Sequence, residues 1–230
     1  MGTLSLVARC ARTGQVGVAA LTAMVGVGKL VPYTAPGVGA FASQATLNPY
    51  LGIDGLRLLA DGLSPQEVLD DVIASDPGRA VRQCGVIDIR GRVAAWTGDR
   101  TPDWSGHQEG ADVIAQGNRL TGPEVLAAAI EAFGRHEDLD LAERLLMAVD
   151  AGEHAGGDAK REQSAALVVN AGEEYPLWDV RVDHSEDPAR RLREVYDEMK
   201  AQLLPEMLRL PTREDPLGQA ARELLKDGPS

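Results

Sequence analysis

The sequence predicts an α+β fold, a four-layer α/β/β/α sandwich of two mainly antiparallel sheets. Strand-like segments follow one another in hairpins, which is typical of antiparallel pairing. Helices come in pairs between groups of strands, so each pair can cover the outer face of one sheet. This order does not fit a parallel sheet with crossover helices, whereas a two-layer α+β domain is an alternative that the sequence leaves open.

The expected elements follow the alternation of apolar and polar residues. Strands are expected over residues 4–9, 15–22, 38–45, 83–89, 92–97, 112–116, 164–170 and 177–183. Helices are expected over residues 54–61, from 64, from 121, over about 139–149 and over 187–204. Residues 23–37 hold too much Gly and Pro to continue a regular element. Capping boxes at Ser64-Pro65-Gln66-Glu67 and Thr121-Gly122-Pro123-Glu124 mark two helix starts.

Length and composition predict one globular domain over residues 1–204, followed by a Pro-punctuated tail over residues 205–230 with a possible short helix. The net charge of −12 would repel phosphate backbones and anionic lipid, so neither nucleic acid nor a membrane is an expected partner. No run of about 18 apolar residues and no secretory signal occur, which predicts a soluble cytoplasmic protein. Cys10 and Cys84 are expected to be buried thiols, with a disulfide as the alternative.

The N-terminal segment carries the candidate nucleophile, because Gly2 and Thr3 begin the first strand. Cutting the Gly2–Thr3 bond would give Thr3 both a nucleophilic hydroxyl and a free α-amine. The pKa of such an amine, about 7.7–8.0 in model compounds, suits a general base at neutral pH. This is the arrangement of the N-terminal nucleophile (Ntn) hydrolases. The alternative is that a β-branched residue simply begins a strand.

Two loops supply candidate partners for such a nucleophile. Asn118 follows a strand, so its amide is a candidate oxyanion donor, unless it satisfies its own turn. Asp158 is suited to a substrate ammonium and Arg161 to a carboxylate, and an internal salt bridge is the alternative for both. Further hydrogen-bonding neighbours are expected to be Gln44, Ser43 and Ser164.

Other chemistries find no support in the residue spacing. The segment Gly26-Val27-Gly28-Lys29 lacks the glycine and hydroxyl positions of a phosphate-binding loop. The four histidines are dispersed, so no metal is expected, and no cofactor motif occurs. A Ser-His-Asp triad is an alternative that the sequence leaves open, although no G-x-S-x-G nucleophile elbow occurs in it.

Eight segments, in this order along the chain, carry a resemblance to a known family. They are TLSLVAR, TGQVGVA, PGVGAFASQATLNP, GLRLLADGLSPQEVL, DPGRAVRQCGVIDIRGRVAAWTG, QGNRLTGPEVL, GGDAKREQSAAL and VRVDHSEDP. Together they span roughly residues 3–195 and resemble the bacterial family filed as domain of unknown function 1028, which is regarded as Ntn-hydrolase-like. The resemblance implies the α/β/β/α sandwich and places Thr3 at the position of the N-terminal nucleophile. It implies no substrate.

The chain departs from that family at two places. In the relatives the Thr follows the initiator Met directly, whereas here Gly2 intervenes. Exposing Thr3 therefore requires cleavage of a Gly–Thr bond, the type of bond that proteasome β-subunits cut autocatalytically, unless Gly2 was added in cloning. Residues 21–24 replace a more polar Ser-Lys segment, which removes a cation near the nucleophile.

The sequence thus predicts a hydrolase for a C–N amide bond of a small polar substrate. In this hypothesis Thr3 is the nucleophile, its freed amine is the base, Asn118 assists the oxyanion, and Asp158 and Arg161 orient the substrate. A homo-oligomer is expected for a sandwich of this size. One alternative is a binding or assembly protein that keeps the fold without catalysis, and another is a hydrolase that uses a different internal residue.

Overall fold

The computed structural model describes residues 2–101 and 103–226, which fall into two units divided between Leu192 and Arg193. The strands are β1 (Thr3–Arg9), β2 (Val16–Thr22), β3 (Pro32–Ala35), β4 (Gly39–Ala45), β5 (Arg82–Asp88), β6 (Val93–Thr97), β7 (Ser105–Gly110), β8 (Val113–Asn118), β9 (Ser164–Asn170) and β10 (Trp178–Val182). The helices are α1 (Pro49–Ala60), α2 (Pro65–Ser75), α3 (Glu124–Gly134), α4 (Leu141–His154), α5 (Pro188–Gln202), α6 (Leu204–Met207) and α7 (Gln219–Lys226).

The first unit contains two antiparallel sheets. The six-stranded sheet has the order β10-β9-β2-β1-β8-β7, and the four-stranded sheet has the order β3-β4-β5-β6. β1 lies between its hairpin partner β2 and the distant β8, so the strand that carries Thr3 is central. Every paired strand in both sheets is antiparallel, as the hairpins predict.

Helices cover both sheets. α1 and α2 contact the four-stranded sheet, α3 and α4 contact the six-stranded sheet, and β1 and β8 contact β4 and β5 across the space between the sheets. α1 approaches its sheet closely because Gly55 leaves no side chain there: a Cβ on this residue would lie 2.7 Å from the ring of Phe41. The result is an α+β unit in which the buried interior lies between two sheets as well as under the helices.

Several sequence predictions are confirmed and others are wrong. The capping box at Ser64 forms, with the hydroxyl accepting from the Glu67 N–H and the Glu67 carboxylate accepting from the Ser64 N–H. The capping box expected at Thr121 does not form, because α3 begins after Pro123 with no side-chain cap. α1 begins at Pro49, earlier than expected, because Asn48 caps it.

Two strands, β3 and β7, were not predicted from the sequence. β3 lies in the Gly- and Pro-rich stretch that was expected to hold no regular element, and β7 lies in a segment with few strand-forming residues. Each is an edge strand whose backbone pairs with one neighbour, β4 and β8 respectively. Pairing with the neighbour therefore outweighs weak local propensity at both edges.

The second unit consists of the end of α5 together with α6 and α7. Arg209 forms ion pairs with Glu206 and Glu223, and Arg222 pairs with Asp215 at 2.6 Å. α7 supplies a short helix in the expected tail. Among the described residues, no helix is both long enough and apolar enough to cross a bilayer.

Candidate functional site

The layer between the two sheets changes character along its length. Side chains of alternate residues on five strands face this layer, and in each strand they run from apolar at one end to small or polar at the other. In this direction they are Val7, Ser5 and Thr3 on β1; Val18, Ala20 and Thr22 on β2; Ile114, Gln116 and Asn118 on β8; Ala40, Ala42 and Gln44 on β4; and Ile87, Gly85 and Gln83 on β5. We call the second end the polar end.

Buried amides at the polar end form one hydrogen-bond network. Gln116 Nε2 donates to Ser5 Oγ at 2.6 Å, and Ser5 Oγ donates to Gln44 Oε1 at 2.5 Å. Gln44 Nε2 and Asn118 Nδ2 both donate to Gln83 Oε1 at 2.9 Å. Because these side chains are fully buried and bonded across the two sheets, the network fixes the sheets relative to each other around Thr3.

The network continues from Gln83 toward the edge of the sheet. Gln83 Nε2 donates to Thr97 Oγ1 at 3.0 Å and to the Gly117 carbonyl at 2.8 Å. Thr97 Oγ1 in turn lies 3.0 Å from His107 Nδ1. A chain of hydrogen bonds therefore joins Ser5 in the centre of the large sheet to His107 on its edge strand.

Thr3 lies in the polar end beside a second hydroxyl and a polarised carbonyl. Its Oγ1 is 3.0 Å from Thr22 Oγ1, and Thr22 Oγ1 donates to the carbonyl oxygen of Gly2 at 2.6 Å. The N–H of Ala23 donates to the same oxygen at 3.2 Å. Because the single proton of Thr22 is directed at Gly2, the Thr3 hydroxyl must donate to Thr22. The carbonyl that precedes Thr3 thus accepts two hydrogen bonds, one from the Thr22 side chain and one from the Ala23 N–H, which continues the β1–β2 pairing by one residue.

A small cavity adjoins the two hydroxyl groups. Its volume is about 20 Å³, which is room for about one water molecule. Thr3 and Thr22 are its polar lining, and the rest is formed by Met24, Val25, Val27, Leu30, Val31, Ala45 and Leu47. A water molecule there would have hydroxyl partners on one side and apolar walls on the others.

Asp158 lies against Gly2. Its carboxylate is buried, with Oδ1 accepting from the Lys160 N–H at 2.8 Å, while Oδ2 has no hydrogen-bond partner among the described residues. A Cβ built on Gly2 would lie 1.9 Å from Oδ2, so the carboxylate contacts the glycine Cα directly. The fit requires glycine at position 2 in the uncleaved chain.

Neighbouring carboxyl groups add to the negative charge around Asp158. Burial raises the pKa of Asp158, while hydrogen bonding from the Lys160 and Ala23 backbones and the charge of Arg119 oppose this. Burial and the charge of Asp158 raise the pKa of Glu162, whose Oε1 accepts from the Asp158 N–H at 2.8 Å. Burial and the charges of Glu162, Asp187 and Asp150 raise the pKa of Glu153 to about 7. A bound cation would relieve this charge.

Ser164 holds the loop that follows β2. It lies opposite Thr22 in the sheet, but its Oγ donates to the Met24 carbonyl at 2.5 Å and accepts from the Val27 N–H at 3.1 Å. Gln163 supports the same loop through its N–H, which donates to the Thr22 carbonyl at 2.7 Å. Ser164 therefore helps to position the Ala23 N–H rather than facing the Thr3 hydroxyl.

Comparison with known proteins assigns the chain to a family. The model of the family of unknown function DUF1028 matches residues 3–192. The chain belongs to the DUF1028 family. A DUF1028 protein from Silicibacter pomeroyi has a solved crystal structure and is 33% identical in sequence to this chain. The two structures superpose with a TM-score of 0.88 over 95% of each chain. No curated protein matches the sequence.

A second solved structure resembles this DUF1028 protein weakly. It is Anbu, an ancestral beta-subunit, from Yersinia bercovieri, with 12% identity and a TM-score of 0.39 over 87% of this chain and 97% of that chain.

Not every expected site residue of the DUF1028 protein lies beside Thr3. Ser43 faces the opposite side of β4 from Gln44, since adjacent strand residues alternate, and its Oγ donates to the Asn48 carbonyl at 3.0 Å. Arg161 is exposed, has a φ of 64°, and lines a different surface cavity of about 290 Å³ together with His184. The structure thus brings together Thr3, Asn118, Gln44 and the carboxylate of Asp158, and leaves Ser43 and Arg161 outside.

Two residues of the polar end, Thr22 and Gln83, were not predicted as site residues from the sequence. The signal for Thr22 was present, because the register of the β1–β2 hairpin places it directly opposite Thr3. Gln83 had no local signal, because its partners lie on strands of both sheets.

One set of possible metal ligands occurs in the described part of the chain. Atoms of Asp150, Glu153 and His154 on one face of α4 lie within 4.8 Å of one another. Asp150 and His154 are exposed, and His154 Nδ1 is 3.6 Å from the Asp150 carboxylate, so an ordinary helical ion pair accounts for the arrangement.

Proposed function

We propose that this DUF1028 protein is an amide hydrolase of the Ntn type, in which Thr3 becomes the nucleophile after cleavage of the Gly2–Thr3 bond. The observation that carries the proposal is the pair of donors, Thr22 Oγ1 and the Ala23 N–H, on the Gly2 carbonyl oxygen. The Thr3 hydroxyl lies beside the same Thr22 oxygen. In this proposal the Thr3 hydroxyl attacks the Gly2 carbonyl, and the two donors hold the oxyanion that forms.

The arrangement of layers supports the same proposal. α1 and α2 contact one sheet, α3 and α4 contact the other, and the two sheets face each other. This order supports the proposal of a four-layer α/β/β/α sandwich like that of the Ntn hydrolases, and Thr3 lies at the start of a central strand.

Maturation would proceed by attack of Thr3 Oγ1 on the Gly2 carbonyl carbon. The carbonyl oxygen becomes an oxyanion held by Thr22 Oγ1 and the Ala23 N–H. The hydroxyl proton passes to the peptide nitrogen, the C–N bond breaks, and an ester joins Gly2 to Thr3 Oγ1. One water molecule hydrolyses the ester, releasing a carboxylate at Gly2 and leaving Thr3 with a free hydroxyl and a free α-amine.

Turnover would repeat these steps on an external amide. The Thr3 amine takes the hydroxyl proton as Oγ1 attacks the acyl carbon, and gives it to the departing amine. Water then hydrolyses the ester. Asn118, whose amide already donates to Gln83, holds the strand end in place, and Gln44 donates to the Thr3 carbonyl at 3.4 Å. No metal or cofactor takes part in this scheme.

Mass spectrometry of the intact protein tests the proposal directly. The wild-type chain should begin at Thr3, and Thr3→Ala should keep Gly2. In Thr3→Ala the rate of amide hydrolysis should fall at least about a thousand-fold, while the free energy of unfolding should match that of the wild type. Thr3→Ser should retain part of the activity. The control is Thr34→Ala, since Thr34 lies on the edge strand β3 and bonds Asn170.

An active, homogeneous protein that still begins at Met1 or Gly2 would rule the mechanism out. The alternative of an inactive binding protein is favoured by one observation, the close fit of the buried Gly2 against Asp158. An uncleaved chain that binds small amides without hydrolysing them would establish that alternative. The cytoplasmic location and the homo-oligomer stay predictions.

A further inference from the structure

In the proposed maturation step, Gly2 is itself the acyl group. Its carbonyl oxygen occupies the two donors, Thr22 Oγ1 and the Ala23 N–H, and its Cα lies against the Asp158 carboxylate. Once Gly2 has left, these groups border the vacated space. A substrate that reacts with the same hydroxyl and places its oxygen on the same donors must set its own Cα beside Asp158.

Asp158 is suited to a positive group at that position. The residue is only 6% exposed, and Oδ2 has no hydrogen-bond partner among the described residues. The Glu162 carboxylate lies next to it, bonded to its backbone N–H. The nearby Arg119 is engaged by Asp103 at 3.5 Å. A buried carboxylate is unfavourable unless a cation balances it, so an ammonium beside Oδ2 would add to the partial compensation that Arg119 gives.

The same contact limits the size of the acyl group. A Cβ on Gly2 would lie 1.9 Å from Oδ2 and 2.2 Å from Cγ of Asp158. The carboxylate cannot easily retreat, because Oδ1 accepts from the Lys160 N–H and the Asp158 backbone forms a bridge with Leu120. The space therefore accepts an α-carbon without a side chain.

We propose that the mature protein hydrolyses glycyl amides, substrates whose acyl group is an unsubstituted α-aminoacyl group with a free amine. The glycyl ammonium pairs with Asp158, and the carbonyl oxygen is held by Thr22 and Ala23. Thr3 Oγ1 attacks the carbonyl carbon of the glycyl group, and the amine leaves with a proton. Water then releases glycine from the ester. This inference rests on the proposed function and adds the substrate class to it.

Three fluorogenic amides of one leaving group, 7-amino-4-methylcoumarin, test the inference on protein shown by mass spectrometry to begin at Thr3. They carry glycyl, L-alanyl and N-acetylglycyl groups. The glycyl amide should have a kcat/KM at least about 10-fold above that of the alanyl amide. Its kcat/KM should exceed that of the N-acetylglycyl amide by about 100-fold, because acetylation removes the charge that faces Asp158.

A pair of variants locates the effect. Asp158→Asn should lower kcat/KM for the glycyl amide about 100-fold, mainly through KM, and should bring it close to the N-acetylglycyl amide. Asp61→Asn, at an exposed carboxylate at the end of α1, should leave all three rates unchanged. Should Asp158→Asn fail to fold, thermal unfolding of the wild type with glycinamide, alaninamide or acetamide gives a second readout, and only glycinamide should raise Tm.

The outcomes separate the two proposals. Equal rates for the three amides, a preference for the alanyl or N-acetylglycyl amide, or no turnover of any by a chain that begins at Thr3 would overturn the glycyl inference. The first two results would leave the proposed amide hydrolase function standing. A chain that does not begin at Thr3 would instead overturn the proposed function.

Discussion

The two ends of the layer between the sheets are built from the same five strands and have opposite compositions. At one end Val7, Val18, Ile87 and Ile114 pack together without a polar atom on their side chains. At the polar end Gln83 and its partners are equally buried but are joined by hydrogen bonds. Apolar burial stabilises the fold without specifying positions closely, whereas bonded amides fix the positions of the groups around Thr3.

The apolar end should carry the larger share of the stability. Ile87→Ala is expected to lower the free energy of unfolding by about 2–5 kcal/mol, because it leaves a cavity in a fully buried cluster. Denaturant titration measures this, and Ile53→Ala on the surface of α1 is the control that should cost far less. Cleavage at Gly2–Thr3 should proceed at an unchanged rate in folded Ile87→Ala molecules. Slower cleavage there would show that the two ends do not have separate roles.

Thr22→Val should act mainly on the chemistry, with a loss of stability of about 1–3 kcal/mol because the buried Thr3 hydroxyl and Gly2 carbonyl each lose a partner. The variant keeps the shape of the side chain but removes one donor from the Gly2 carbonyl, so cleavage should slow about 100- to 1000-fold. The measurement is the time course by which Thr3 becomes the first residue, followed by mass spectrometry. Thr34→Val is the matched control, and cleavage of Thr22→Val at the wild-type rate would contradict the role given to this hydroxyl.

Gln83→Leu should test what the amide network contributes to stability. The substitution leaves the amide donors of Gln44 and Asn118 without their shared acceptor, which is expected to cost about 1–3 kcal/mol. Gln66→Leu on the exposed surface of α2 should stay within about 0.5 kcal/mol of the wild type in the same denaturant titration. An equally stable Gln83→Leu protein would mean that the network positions groups without stabilising them.

Glu153→Gln should produce the smallest effect, one that depends on pH. Burial and the charges of Glu162, Asp187 and Asp150 raise the pKa of Glu153 to about 7, and His154 opposes this weakly. The folded state therefore binds the proton more tightly than the unfolded chain, and the group costs stability as it ionises up to about pH 7. The variant should match the wild type in Tm near pH 4.5 and exceed it at pH 8. A Tm difference independent of pH would contradict this.

Much of the fold was accessible from the sequence because its signals are local. The β1–β2 hairpin follows from alternation around a turn, and the start of α2 follows from the Ser64 capping box. The edge strands β3 and β7 were not accessible, because they depend on a neighbour for their hydrogen bonds. Local patterns identify elements that are stable by themselves and miss those that the sheet imposes.

The candidate site divides in the same way. Thr3 and Asp158 were proposed as site residues from the chemistry of their side chains. Alternation along β4 would have shown that Ser43 and Gln44 cannot face the same side. The hydrogen bond that joins Asn118 to Gln83 crosses from one sheet to the other. No spacing in the sequence encodes the packing of two sheets, so this part required the structure.

The central place of β1 in its sheet determines the order of folding and of the proposed cleavage. Thr3 pairs with Asn118, and Gly2 meets Asp158, so β1 reaches its final contacts only after much later parts of the chain have been synthesised and have folded. On the proposed function, the bond before Thr3 is cut only in molecules that have completed this assembly. Cleavage would then mark the molecules that have finished folding. The fraction of chains that begin at Thr3 would measure how many have done so.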